Sequence, residues 1–324
     1  MKYEIREQSD STIIAIDNEL GLKCELSSFG AGVYSLSFND VPAILSLEDY
    51  DDYKYSHQFF GKTLGVVAGR LKADGMILDN EYHLNKTNGY NYSLHGGHEK
   101  SISFKNWAYK IKDSNKKFDV IFSIKTRKNE NGFPGQAKIV VTYEFAKTNN
   151  SFKILFKGTT PSEATFLSLS NHMYFNFGES DISNHYLKMN CDRVATTDEN
   201  LLIEGLKPIT EVLDFRKSSK LNPRMAKIEK EDFKGTIDDT FLFDDKVGKV
   251  TLKNEKMSMT ITTDFPTLNI YVDNSMKPAV FSNPGIAPIR RAIALEPQLF
   301  VFDRDSITFK KGEIFKHKIE YKFK

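Results

Sequence analysis

The 324-residue chain holds only two cysteines, Cys24 and Cys191, far apart and in no CxxC or metal-like spacing. That excludes a disulfide framework and a structural zinc cluster, and leaves free thiols as the expectation. Charge of one sign is lacking too. The 45 basic and 43 acidic residues leave a net charge of +2, so no electrostatic surplus marks a nucleic-acid or anionic-membrane partner. A neutral or small ligand fits better. No apolar run approaches membrane-spanning length, and Met1-Lys2-Tyr3-Glu4-Ile5-Arg6-Glu7 carries charges where a signal peptide has its apolar stretch. The expected location is the cytoplasm, with no membrane partner. Several chemical motifs are absent as well: GxGxxG after a strand, GxxxxGK[ST], GxSxG and HExxH. Nicotinamide, nucleotide and serine-hydrolase readings lose support.

What the chain does have is alternation. Ala137, Ile139, Val141, Tyr143 and Phe145 share one parity while Lys138, Thr142 and Glu144 take the other, the pattern of a half-buried strand. After the turn residues Thr148-Asn149-Asn150-Ser151, alternation resumes with Phe152, Ile154 and Phe156, which predicts an antiparallel hairpin. Lys117 to Lys125, Lys249 to Thr263, Leu268 to Val272 and Ile314 to Phe323 also read as strand, and 25 Phe with 14 Tyr suit a pleated, aromatic-rich core. Helix is scarce. Asn222 to Phe233, with Pro223 near its start, reads equally as a short exposed helix or a solvated loop. The acidic, aromatic Glu48-Asp49-Tyr50-Asp51-Asp52-Tyr53 reads as a surface turn rather than a ligand-lining segment. Many short strands without alternating helices predict an all-β fold, a large antiparallel sandwich over residues 1–324 as one domain.

Three polar islands carry the chemistry: Ser93-Leu94-His95-Gly96-Gly97, Asn171-His172-Met173-Tyr174-Phe175-Asn176 and Leu295-Glu296-Pro297-Gln298. His172 among apolar neighbours is either a hydrogen-bonded core histidine or a proton donor and acceptor working near neutral pH. Asn171 and Asn176 offer amides to a hydroxyl-rich ligand, and Tyr174 and Phe175 offer ring faces to the apolar side of a sugar. Glu296 follows the apolar Ala292-Ile293-Ala294-Leu295, so it is expected at or near the end of a buried strand. A carboxylate there is either ion-paired, with Arg290 or Arg291 nearby in sequence, or functional with a raised pKa. His95 and His98 sit close together, yet without a nearby third ligand they do not argue for a metal. The glycines between them allow unusual backbone angles and close approach of main chain to a ligand, which would hold His95 at a pocket rim.

Together these residues resemble a family, the aldose 1-epimerases or galactose mutarotases. Phe60-Gly61-Lys62-Thr63-Leu64-Gly65-Val66-Val67-Ala68-Gly69-Arg70 is similar to the family's G-x-x-x-G-x-x-A-x-R segment. Leu78 to Leu84 resembles the strand that follows, Ser93 to Gly97 its LHGG, and Asn171 to Asn176 its NHxYFN signature. Asp192-Arg193, Thr196-Thr197-Asp198 and Asp214-Phe215-Arg216 resemble later stretches, Ile237-Asp238-Asp239-Thr240-Phe241 its aspartate motif, and Leu295 to Gln298 its LExQ. Two departures stand out: Asp239 where histidine is frequent, and Leu299-Phe300-Val301-Phe302-Asp303 in place of a Pro-Asp-Ala. The resemblance implies a β-sandwich of the galactose mutarotase type and interconversion of the α and β anomers of a free aldohexose, without cofactor or metal. It also implies Glu296 as base, His172 as acid, His95 assisting near the ring oxygen, and Arg70 and Asp238 binding sugar hydroxyls. An epimerase of hexose 6-phosphates, a glycoside hydrolase using Glu296 with Asp238, and a non-catalytic sugar-binding protein are the alternatives; oligomeric state is left open.

Overall fold

The computed structural model describes residues 1–232, 234–274 and 279–324. Its largest sheet is antiparallel and nine-stranded, with Ala108–Asp113, Lys117–Lys125, Lys138–Ala146, Ser151–Thr159 and Ile314–Phe323 side by side. The predicted hairpin is there. Phe145 faces Phe152, Glu144 faces Lys153 and Tyr143 faces Ile154, so the apolar residues of both strands share one face and the charged ones meet on the other. The stretch Lys249 to Thr263 resolves into two strands, Gly248–Lys253 and Ser258–Thr263, paired to each other.

A second antiparallel sheet has six strands in the order Tyr174–Phe175, Ile293–Gln298, Thr267–Val272, Asp238–Phe243, Cys191–Thr197 and Ile203–Pro208. It packs on the first through one hydrophobic cluster that takes Val120, Phe122, Val141 and Phe156 from one sheet and Phe175, Phe241, Ile270 and Leu295 from the other. Tyr321 and Phe175, one from each sheet, have ring centroids 6.0 Å apart. Burying each such side chain contributes roughly 1.5–3 kcal/mol, and the layering is that of a sandwich. A five-stranded sheet from Lys2–Gln8 to Val41–Pro42 flanks these two in sequence. Among the described residues no helix is long and apolar enough to cross a membrane.

One segment left open by the sequence resolves as a helix, and one reading is corrected. Leu221–Glu231 is a helix, with Leu221, Met225 and Ile228 buried along one face and Pro223 in its first turn; Phe233 lies outside the described residues. The acidic aromatic segment is not a turn. Tyr50–Tyr55 is a short helix whose start is capped by the Asp49 carboxylate, which accepts from the amides of Asp51 and Asp52. Its Tyr50 and Tyr53 are buried while Asp51 and Asp52 face solvent. Both cysteines are free and buried.

Candidate active site

The six-stranded sheet has one polar patch, and strand register explains it. Glu296 pairs with Asn269, Asn269 with Thr240, and Asp238 with Tyr271. Because side chains alternate, Glu296 and Gln298, Asn269 and Tyr271, and Asp238 and Thr240 emerge on the same face of three adjacent strands. All six line a cavity of about 440 Å³, a size suited to a small ligand. The opposite parity, Ile293, Leu295, Leu268 and Ile270, is buried in the sandwich core. Hydrogen bonds also run across the strands: Thr240 Oγ1 donates to Asn269 Oδ1 at 3.0 Å, and Asn269 Nδ2 donates to Glu296 Oε1 at 3.4 Å. The first bond fixes which end of the Asn269 amide faces the carboxylate.

His172 arrives from a different element. The chain around it is extended and held by paired main-chain bonds, His172 N–H to the Lys62 carbonyl at 3.0 Å and Gly61 N–H to the His172 carbonyl at 2.9 Å. Its Nε2 lies 3.5 Å from Glu296 Oε1. The ring packs against Tyr174 with centroids 4.7 Å apart, and Phe59 stacks beyond at 6.2 Å. His95 completes the group. Its backbone N–H donates to the Gly69 carbonyl at 3.0 Å, and Gly69 N–H donates back to His95 Nδ1 at 3.1 Å. With Nδ1 accepting, the proton of the neutral ring sits on Nε2, which is therefore a donor. Gly96 lets main chain approach main chain rather than a ligand: a Cβ there would stand 2.1 Å from the Gly65 carbonyl oxygen, at φ +80°. Only glycine fits so close a crossing.

Burial sets the electrostatics. Glu296 is 1% exposed, and desolvation pushes its carboxyl up to about 8, against a smaller lowering from the Asn269 hydrogen bond. Desolvation also takes His172 down to about 4. His95 is held well below its ordinary value by burial first and by nearby His172 and Arg70 second. Arg70 Nη2 donates to Asp238 Oδ2 at 3.1 Å. The other lysine or arginine of the cavity wall, Lys234, pairs with Asp239 and donates to the Asp238 carbonyl at 3.3 Å. Asp239, at the first departure, therefore engages a lysine. Val301, at the second, lines the cavity.

The structure brings all five sequence-derived residues, Arg70, His95, His172, Asp238 and Glu296, to this one cavity. Glu296 is not in an ion pair with its sequence neighbours: Arg290 pairs with Glu229 and Arg291 with Asp273. The two asparagines are a correction. Asn171 Nδ2 donates to the Gly61 carbonyl at 2.7 Å and Asn176 Nδ2 to the Arg291 carbonyl at 2.6 Å, so both amides brace the scaffold beneath the site. Phe175 lies in the core, and only Tyr174 of that ring pair lines the cavity. Residues not anticipated are Asn269, Tyr271, Thr240, Lys234 and, as a site residue rather than part of a motif, Gln298. Gln298 shares parity with Glu296 and Thr240 with Asp238, a signal available in the sequence; Asn269 and Tyr271 need the register. Glu296 Oε2 and Gln298 Oε1 are buried without a hydrogen-bond partner among the described residues, which points to a polar ligand.

Among the described residues two groups have metal-ligating atoms within 4.8 Å of one another: His95 with His172 and Glu296, and His57 with His98 and Glu99. His95 and His98 thus belong to different clusters.

Comparisons with known proteins identify the family. Residues 12–322 match the family model described as Aldose 1-epimerase. An aldose 1-epimerase of Streptococcus thermophilus is 29% identical over 272 residues, spanning 79% of this chain and 75% of that protein. An aldose epimerase homologue from C. elegans is similar in structure, with a TM-score of 0.82 and 25% identity, over 97% of this chain and 99% of that one. Galactose 1-epimerase from Lactobacillus acidophilus shares the fold with a TM-score of 0.89 at 23% identity, over 100% and 98%. The all-β sandwich is thus of the galactose mutarotase type, and the chain belongs to the aldose 1-epimerase family of isomerases.

Proposed function

We propose that this protein interconverts the α and β anomers of a free aldohexose such as galactose or glucose. The observation that supports this most is a histidine and a carboxyl group, both buried, 3.5 Å apart on a cavity wall. Burial raises one pKa and lowers the other, so between them the pair holds one proton over a wide pH range. The anomeric hydroxyl and the ring oxygen of an aldose are both bonded to the anomeric carbon. A bound sugar can therefore offer a donor to Glu296 and an acceptor to His172 at once.

In this reading the pair's single proton, which rests on Glu296, first passes to His172 across the 3.5 Å gap; the Glu296 carboxylate then takes the proton of the anomeric hydroxyl while the His172 imidazolium delivers its own to the ring oxygen. The bond between the anomeric carbon and the ring oxygen breaks, and its electron pair goes to that oxygen. The product is the open-chain aldehyde with a hydroxyl at C5. Rotation about the C1–C2 bond presents the other carbonyl face, and the two groups exchange roles as the ring closes. Each positioned proton transfer contributes roughly 10²- to 10⁴-fold. His95 donates from Nε2 toward the ring oxygen, while Arg70 and Asp238 bind hydroxyls. The scheme uses proton transfers alone and calls on no cofactor.

Two rivals fit less well. A 6-phosphate substrate calls for a cation at the far end of the sugar, whereas Arg70 and Lys234 are both engaged by carboxylates. A glycosidase needs a second working carboxyl group, and Asp238 is bound to Arg70. Polarimetry on freshly dissolved α-galactose and α-glucose tests the proposal, with glucose 6-phosphate and an aryl galactoside as comparison substrates. Acceleration confined to the free sugars is expected. Binding of aldoses with no acceleration would refute the proposal in favour of a non-catalytic sugar-binding protein.

A further inference from the structure

The second cluster lies at the rim of the cavity and is used by nothing in the scheme above. His57 follows the Tyr50–Tyr55 helix, and His98 and Glu99 belong to the short 3₁₀ turn His98–Lys100. His57 Nδ1 is 3.3 Å and His98 Nδ1 3.8 Å from the same oxygen, Glu99 Oε1. The two imidazoles are stacked, with centroids 5.3 Å apart and planes within 4°; since imidazole lone pairs lie in the ring plane, joint ligation requires one ring, the half-exposed His57, to turn. Two histidines and a carboxylate converging from segments distant in sequence are a zinc-type donor set. With bonds of about 2.0–2.1 Å, neighbouring ligands of a tetrahedral zinc stand about 3.3 Å apart. One of the separations already has that value, and the next exceeds it by half an ångström.

The turn that carries two of these ligands is firmly held. Asn131 Nδ2 donates to the Gly96 carbonyl at 3.1 Å and to the Lys100 carbonyl at 2.9 Å, bracketing His98 and Glu99. His98 itself adopts φ +52°, a left-handed conformation that is uncommon outside glycine and asparagine. Its ring packs edge-on to Phe59 with centroids 5.6 Å apart. Phe59 in turn contacts His95 at 4.8 Å. The side chains are half-buried to exposed, so solvent reaches them.

We propose that His57, His98 and Glu99 form a binding site for a divalent transition metal of the zinc class, with its fourth position open to water. An ion there ties residues 56–59 to the Leu94–Ser101 loop. His57, Gln58 and Phe59 of the first and Leu94 and His95 of the second line the cavity, so the metal braces its rim. The proposal is independent of the sugar chemistry.

The test uses the full chain, stripped of metal and then titrated with Zn²⁺ at micromolar concentration by equilibrium dialysis. Co²⁺ serves as a spectroscopic probe, because tetrahedral cobalt absorbs strongly in the visible. The variants are His57→Ala, Glu99→Gln and His98→Asn, the last chosen because asparagine tolerates the left-handed backbone. His172→Gln reports on the catalytic trio, which is the rival metal site, and circular dichroism confirms that each variant folds. One zinc per chain is expected for wild type, with a tetrahedral cobalt spectrum. Each rim variant should lose at least about tenfold in affinity, while His172→Gln retains it. No uptake by wild type, unchanged affinity in the rim variants, or loss confined to His172→Gln would each overturn the proposal.

Discussion

Replacing Glu296 with glutamine separates catalysis from stability in a way that few substitutions would. The amide has the same shape and its oxygen still accepts from Asn269, but it cannot take a proton. Loss of one positioned proton transfer predicts a fall in mutarotation of about 10²- to 10⁴-fold, or roughly 3–5 kcal/mol in the barrier. Stability should move the other way with pH. A carboxyl raised from 4.5 to about 8 by burial makes the folded state bind a proton that the unfolded chain has released. Its stabilising contribution is fully present below the unfolded value and is lost as pH rises through the folded one. Between pH 5 and pH 9, wild type should therefore lose up to about 4 kcal/mol relative to Glu296→Gln. Any fixed cost of burying the amide NH₂ is the same at both pH values and cancels from that difference. Polarimetry in dilute buffer gives the first number, and denaturant unfolding of both proteins at pH 5 and pH 9 gives the second. A variant that turns over normally would refute the assignment of the base. A stability difference independent of pH would refute the buried, proton-holding carboxyl.

The pH–rate profile of wild type should be a broad plateau, because turnover needs one proton on the Glu296–His172 pair. Activity should fall above about pH 8, where the pair loses it, and below about pH 4, where a second is gained; these limits belong to the pair and not to either residue. A maximum confined near pH 6.5 would contradict this. Arg70→Lys keeps the charge but loses the planar donor fan against Asp238, so KM should rise about tenfold with a smaller change in kcat, measured by saturation polarimetry. Lys62 is 0% exposed, ringed by Phe29, Tyr53 and Phe104, and taken down to about 7 by burial. Below pH 7 the folded state carries this buried charge at a cost, so Lys62→Met should stabilise the protein there. The gain should shrink as pH climbs toward 10.5, and thermal melts at pH 6 and pH 9.5 read the sign.

Fold and site were legible in the sequence to different depths, and the reason is physical. Alternation is a local property, so Ile139 to Phe145 and Phe152 to Phe156 announced their strands and even their hairpin. His172 and Glu296 stood out because each interrupts an apolar run, where an ionisable group is expensive without a partner or a task. Asn171 and Asn176 interrupt the same run and misled, since an amide satisfies a ligand and a backbone carbonyl with the same bonds. Asn269 and Tyr271 sit in an ordinary alternating strand. Nothing local distinguishes them from solvent-facing residues until register sets them beside Glu296 and Asp238. His57, the distant member of the rim cluster, was invisible for the same reason, lying 41 positions from His98, although Glu99 is its neighbour in sequence.

That dependence on register also explains how the sheet tolerates its site. A buried carboxyl would ordinarily weaken a core, yet Glu296 shares one parity of three strands with Gln298, Asn269, Thr240 and Asp238, while Leu295, Ile270 and Phe241 of the other parity fill the sandwich. Shifting the Ile293–Gln298 strand by one residue would turn Glu296 into the hydrophobic cluster and Leu295 into the cavity. Both outcomes cost energy, so the functional face itself penalises the wrong pairing. The polar patch is in this sense part of what specifies the fold, and Glu296→Leu, which removes that penalty, is a better probe of register than any core substitution.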